Sequence, residues 1–184
     1  MKNFIESLKI LYWQLSSKKE QTVARLLFNY SLTVSTAESC TGGLISSRLT
    51  NISGSSNFIK ENFITYSIDA KVNNLGVDRN LIDKYGVVSS KCAIAMAEGL
   101  FERTNQDICL AITGVAGPSN SSGKPPGTAF ISIKNNYCTK VKEIKLNSHL
   151  GRRTLKFLFS EEALDFLIEF INENYAAITS ANKS

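Results

Sequence analysis

The stretch LTVSTAESCTGG, residues 32–43, passes from a segment rich in β-branched residues into small residues and two glycines. Residues 32–38 read as a buried strand. The chain breaks sharply at Ser39-Cys40-Thr41-Gly42-Gly43, and apolar residues then recur at Leu44, Ile45 and Leu49 with helical spacing. A strand that turns tightly into a helix is the repeating unit of α/β folds.

Working outward, the same alternation continues on both sides. Upstream, Phe4, Ile5, Leu8, Leu11, Tyr12 and Leu15 predict an extra helix within residues 1–15. Ser17 and Glu20 have the spacing of a capping box for a second helix through Val23, Leu26, Leu27 and Tyr30. Downstream, a strand is expected at 59–67, a helix from Asp69 to Leu75, and a short helix from Asp78 to Tyr85. Ser89 or Ser90 caps a strong helix, followed by strands at 107–113, 128–134 and 137–146, the last two joined at Asn135-Asn136 in a hairpin turn. A helix from about Arg153 to Asn174 ends the pattern. The order predicts a three-layer α/β/α sandwich around a mostly parallel mixed sheet with one antiparallel strand. The 184 residues fit one domain over 16–178, flanked by the 1–15 helix and a 179–184 tail.

Composition excludes several classes. With 43% hydrophobic and 20% charged residues, 3 Pro and 11 Gly, the chain is neither disordered nor collagen-like. No apolar run is long enough to span a membrane. Glu6 and Lys9 interrupt the N-terminal apolar stretch, so a signal peptide is rejected and a cytoplasmic location is expected. The net charge of +5 is spread along the chain, without the aromatic-interleaved basic tract of a nucleic-acid groove. Nucleic acid is therefore not an expected partner, whereas an anionic small molecule suits the mild positive field. Cysteines 40, 92, 109 and 138 form no CxxC pair, and His149 has no companion, so no zinc site is expected. A GK pair at Gly123-Lys124 lacks the P-loop spacing, and Pro125 stands where Ser or Thr is required.

Three unusual segments, 38–43, 65–71 and 113–117, fall at the carboxyl ends of expected strands, where open α/β sheets collect ligands. Ser39, at the tip of a strand-to-helix turn, has the placement of an acyl-transfer nucleophile. Taken alone, the segment reads more simply as a helix cap by Ser39 or Thr41. Tyr66 and Lys71 can share a crevice across a strand end and one helical turn; singly, Lys71 reads as a surface residue. Desolvated in a pocket, such a lysine loses proton affinity and serves as base to a serine. Cys40 is the alternative nucleophile, ranked below Ser39 because no histidine lies near it in sequence. In Thr113-Gly114-Val115-Ala116-Gly117-Pro118, glycines let backbone approach a ligand.

Together these segments resemble one family. Ala37-Glu38-Ser39-Cys40-Thr41-Gly42-Gly43, Gly54-Ser55-Ser56, Thr65-Tyr66-Ser67, Lys71, Leu75-Gly76-Val77, Gly86-Val87-Val88-Ser89, Thr113 to Pro118 and Lys124-Pro125-Pro126-Gly127-Thr128 are similar, in order, to the CinA C-terminal domain. The resemblance covers residues of about 20 to 172. It implies nicotinamide-mononucleotide deamidase chemistry, giving nicotinic acid mononucleotide and ammonia, on a three-layer α/β/α sandwich. It implies Ser39 as nucleophile with Lys71 and Tyr66 beside it, and Thr41, Gly42 and Gly43 as helix N-terminal donors. Thr113, Gly114, Ala116 and Gly117 would line the nucleotide site, and Arg153 would lie near its phosphate. No metal or organic cofactor is implied, and self-association into a homo-oligomer is. Three positions depart from the pattern: Ile68 replaces a common Asn, Arg152 an Asp, and Phe157 a frequent Arg. They favour the alternative reading, a catalytically weak domain that binds nucleotide or a protein partner in competence or DNA-damage physiology.

Overall fold

Along the central strand Ile108–Gly114, alternate residues serve two different cores. Ile108, Leu110 and Ile112 enter one apolar cluster, and Cys109 and Ala111 enter another. The two-residue period of a strand sends successive side chains to opposite faces, so both faces of this sheet must be covered. The computed structural model, which describes residues 18–181, shows how. The expected 1–15 helix, Ser17 of the capping box and residues 182–184 lie outside the described residues.

A helix α1 over 18–29 leads into β1 (Val34–Glu38). Then follow α2 (Leu44–Thr50), a short 3-10 turn, β2 (Ile59–Ile64), α3 (Ile68–Leu75), α4 (Arg79–Tyr85) and α5 (Ser90–Thr104). Strands β3 (Ile108–Gly114), β4 (Thr128–Lys134) and β5 (Thr139–Lys145) precede the terminal helix α6 (Arg152–Ala181). The five strands are ordered β2-β1-β3-β4-β5. β1 runs parallel to β2 and β3, and β4 is antiparallel to both β3 and β5, which makes β4 the one reversed strand. The three-layer mixed architecture expected from the sequence is the one observed.

Helices α1, α2 and α6 cover one face through Val23, Leu27, Ile45, Leu49, Phe159 and Phe170. Helices α3, α4 and α5 cover the other through Leu75, Ile82, Met96 and Leu100. Each such fully buried Leu or Phe contributes about 1.5–3 kcal/mol relative to leaving it in water. Small residues Ala37, Cys109 and Ala111 face α5, so the second helical layer sits close to the sheet.

Glu20, whose expected capping partner Ser17 lies outside the described residues, is 4% exposed and pairs with Arg48 Nε at 2.5 Å, joining α1 to α2. Arg48 also donates to Ser160 Oγ at 2.6 Å and pairs with Glu161 of α6. A buried guanidinium demands such partners, because desolvation outweighs any single contact. The β4–β5 connection spans residues 135–138 rather than two asparagines, because Asn135 Oδ1 accepts from the amides of Tyr137 and Cys138 at 2.9 and 2.8 Å. A side chain that gathers two successive amides closes a longer turn. Among the described residues, no helix is long and apolar enough to cross a membrane.

Candidate active site

The elbow after β1 is built by a carboxylate. Glu38, fully buried, accepts from the amides of Ile45 and Ser46 at 3.1 and 2.8 Å and from Ser46 Oγ at 2.6 Å. It thereby caps α2 from the strand that precedes it, satisfying amides that have no partner inside the helix. Ser39 continues the β1–β3 ladder through its amide to Ile112 O at 3.1 Å, and Gly42 returns its amide to Ser39 O at 3.1 Å. Gly43 has φ +89°, a left-handed conformation that favours glycine at this turn.

The second arm comes from the end of β2. Thr65 extends the β1–β2 pairing through its amide to Glu38 O at 2.8 Å. Ser67 caps α3 by accepting from Ala70 N at 3.0 Å, which starts the helix in register to turn Lys71 inward. Lys71 is completely buried. Its Nζ donates to Thr65 O at 2.6 Å and to Ser39 Oγ at 3.1 Å. Among the described residues, no carboxylate pairs with it. Burial holds its pKa below the usual lysine value, opposed by the neighbouring thiols of Cys92 and Cys40. A lysine so placed can be neutral, donating to the Thr65 carbonyl while its lone pair receives the serine proton.

Cys40 points the other way chemically. It is 5% exposed, and burial, reinforced by the charge of Glu38, pushes its thiol up to about 12. Burial likewise pushes Cys92 up to about 11. Neither thiol supplies a thiolate near neutrality.

Ser39 opens onto a cleft of about 210 Å³ at the carboxyl ends of β1 and β3. Tyr66, Thr113, Gly114, Ala116 and Gly117 line it, together with Val87, Val88 and Arg152. Thus the segments 38–43, 65–71 and 113–117 do converge. Thr113 is buried, and its hydroxyl donates to Val87 O at 2.8 Å, so it ties down the cleft floor. Gly114 lets β4 approach, since a Cβ there would meet Thr128 O at 2.8 Å.

Other expected residues fall elsewhere. Thr41 is fully buried, and its hydroxyl has no hydrogen-bond partner among the described residues; Thr41, Gly42 and Gly43 do not line the cleft. Tyr66 is 62% exposed at the rim, and its hydroxyl accepts from Arg152 rather than from the serine–lysine pair. Arg153 is exposed outside the cleft, whereas Arg152 lines it. Phe157 stacks under Arg48, 5.0 Å from its ring centre. The sequence reading missed Glu38 as the elbow's cap, the carbonyl of Thr65, and Gly99. A Cβ at Gly99 would stand 1.7 Å from Leu75 O, so this glycine lets α5 lie against the end of the helix carrying Lys71. Among the described residues, no cluster of three or more His, Cys, Asp or Glu is placed to hold a metal ion.

Known proteins share this arrangement of chain. A sequence model of the family described as the CinA C-terminal domain matches residues 16–171. A CinA-like protein of Dictyoglomus thermophilum is 41% identical over 158 residues, covering 85% of this chain and 38% of that protein. One from Chlorobium limicola is 51% identical over 115 residues, covering 62% of this chain and 27% of that protein. The chain therefore spans about a third of the length of the curated relatives it matches. The crystal structure of a competence/damage inducible protein from Agrobacterium tumefaciens is 36% identical, with a TM-score of 0.77 over 84% of this chain and 95% of that one. A CinA superfamily protein from Klebsiella pneumoniae is 26% identical, with a TM-score of 0.82 over 85% and 98%.

Proposed function

The chain belongs to the CinA C-terminal domain family, and on that footing we propose that it is an amidohydrolase acting on nicotinamide mononucleotide. One observation carries the reading: the Nζ of a fully buried lysine, without a carboxylate partner among the described residues, stands 3.1 Å from Ser39 Oγ at the base of an open cleft. A structural lysine has no need of a serine hydroxyl there, while a serine nucleophile needs a base.

In the reaction, neutral Lys71 takes the Ser39 proton as Oγ bonds to the carboxamide carbon. The amide of Gly42 is already given to Ser39 O, and Glu38 holds those of Ile45 and Ser46. The amide of Cys40 at the elbow and those of Ala116 and Gly117 on the cleft wall have no backbone acceptor among the described residues, and these remain for the oxyanion. The tetrahedral species collapses as Lys71 returns its proton to the departing nitrogen, releasing ammonia. Water then attacks the acyl-serine, again with Lys71 as base, and frees nicotinic acid mononucleotide. The net change is amide plus water to acid plus ammonia.

The test is ammonia release from nicotinamide mononucleotide by the protein, by Ser39→Ala and by Lys71→Ala. Activity in the parent alone supports the reaction and both roles. Activity that survives Ser39→Ala removes the nucleophile assignment. No release from a folded parent removes the enzyme and leaves a domain that binds without hydrolysing.

A further inference from the structure

Arg152 is the one charged residue among those that line the cleft. It is the first residue of α6. Its Nη1 donates to Gly117 O at 2.7 Å, and its Nη2 donates to Tyr66 Oη at 2.8 Å. Those contacts tie together the segments after β2 and β3, which form two sides of the opening. Both acceptors are neutral, and among the described residues Arg152 enters no ion pair. A guanidinium has five N–H donors, so two are held and three remain, in a plane fixed by the two that are held.

We propose that Arg152, oriented by Tyr66 and Gly117, recognises an anionic group on the substrate, so that the cleft selects phosphorylated over unphosphorylated amides. The inference rests on the amidohydrolase reading for the position of the reacting carbonyl at Ser39. Its physical basis is independent of the chemistry: a planar cation with free donors and no counter-charge binds a phosphate by two-point, charge-assisted hydrogen bonds. The same residue at the edge of an apolar-backed cleft strengthens its field on any anion within it. Arg153, exposed and outside the cleft, has neither the position nor the held geometry.

The experiment uses two ligands that are not turned over, nicotinic acid mononucleotide and nicotinic acid riboside, which differ only in the phosphate. Calorimetric affinities are compared for the parent, Arg152→Ala, Arg152→Gln and Arg153→Ala. The expected result is tighter binding of the phosphorylated ligand by the parent, with the affinity ratio falling about tenfold or more in both Arg152 variants. Arg152→Gln keeps a donor for the rim, which separates loss of charge from a disturbed opening, and thermal melts check the fold. Three results overturn the proposal: an unchanged ratio in the Arg152 variants, loss of the ratio in Arg153→Ala instead, or no binding of the phosphorylated ligand by the folded parent. Failure of ammonia release with an Arg152-dependent ratio intact would sink the hydrolase reading and leave anion recognition standing.

Discussion

The Nζ of Lys71 stands 3.1 Å from the Oγ of Ser39, and the carbonyl of Thr65 holds the same nitrogen at 2.6 Å. The residue between strand and helix thus fixes the lysine, and the lysine fixes the serine rotamer. For activity the nitrogen must be neutral. Burial lowers its pKa, so kcat/KM should rise with pH through that depressed value and level off before the ordinary lysine range. Lys71→Arg should lose activity by about a hundredfold or more at every pH, because a guanidinium does not deprotonate and general-base catalysis contributes about 10²–10⁴. A pH–rate profile of the two proteins checks this; an arginine variant with the parent's profile would refute it.

The same burial makes a statement about stability. Between the depressed folded pKa and the ordinary 10.5, the unfolded chain binds a proton that the folded one does not. Stability from this group therefore rises with pH across that window and is lowest below it, where the buried ammonium must stay charged. Lys71→Met removes the penalty, so its stability advantage over the parent should grow as pH falls and disappear towards pH 10.5. Urea melts at several pH values measure the difference directly.

Glu38 holds two amides and a hydroxyl at the start of α2. Glu38→Ala leaves those donors buried without an acceptor, at a cost of about 1–3 kcal/mol. Because the same turn carries Ser39, kcat should fall while affinity for ligand at the Arg152 side changes little. Chemical denaturation and steady-state kinetics read the two effects separately, and a loss in affinity alone would contradict the assigned role.

Gly99 admits α5 against the last turn of α3, where a Cβ would lie 1.7 Å from Leu75 O. Gly99→Ala should destabilise by about 1–3 kcal/mol and lower activity by displacing the helix that carries Lys71. Gly151→Ala provides the contrast, since nothing lies within 4 Å of its Cβ position. Thermal melts of both variants decide the point; equal melting temperatures would show that the helices shift freely.

Cys40 follows the nucleophile in sequence yet is buried with its thiol pushed up to about 12. Cys40→Ala should keep most of the activity, and iodoacetamide should leave Cys40 unmodified in the folded protein. Mass-spectrometric mapping after labelling tests it, and rapid alkylation at position 40 would restore the thiol as a rival to Ser39.

The five strands were legible in order because burial of the central ones leaves a direct trace in residue order, whereas the mostly exposed edge strands are shorter than the expected 59–67 and 137–146, at Ile59–Ile64 and Thr139–Lys145. Thr128–Lys134 was read to its ends, and Ile108–Gly114 within one residue. The three segments at the carboxyl ends of strands were legible for the same reason, since glycine and small residues mark where backbone must turn or approach closely. Periodicity could not tell a buried lysine from a surface one: Lys71 alone on α3 reads as solvated until β2 and α5 close over it. Nor could it distinguish Arg152 from Arg153, because adjacent helical residues differ by about 100° in direction, and only the packing of α6 on the sheet decides which one meets the cleft. The partners of Glu38 and Glu20 stayed hidden on the same ground. A carboxylate's partner seven or twenty-eight residues away is set by which elements fold together, not by any local spacing. Sequence determined the layers and the location of the site; tertiary packing decided which charged groups are desolvated there, and desolvation is what gives those groups their chemistry.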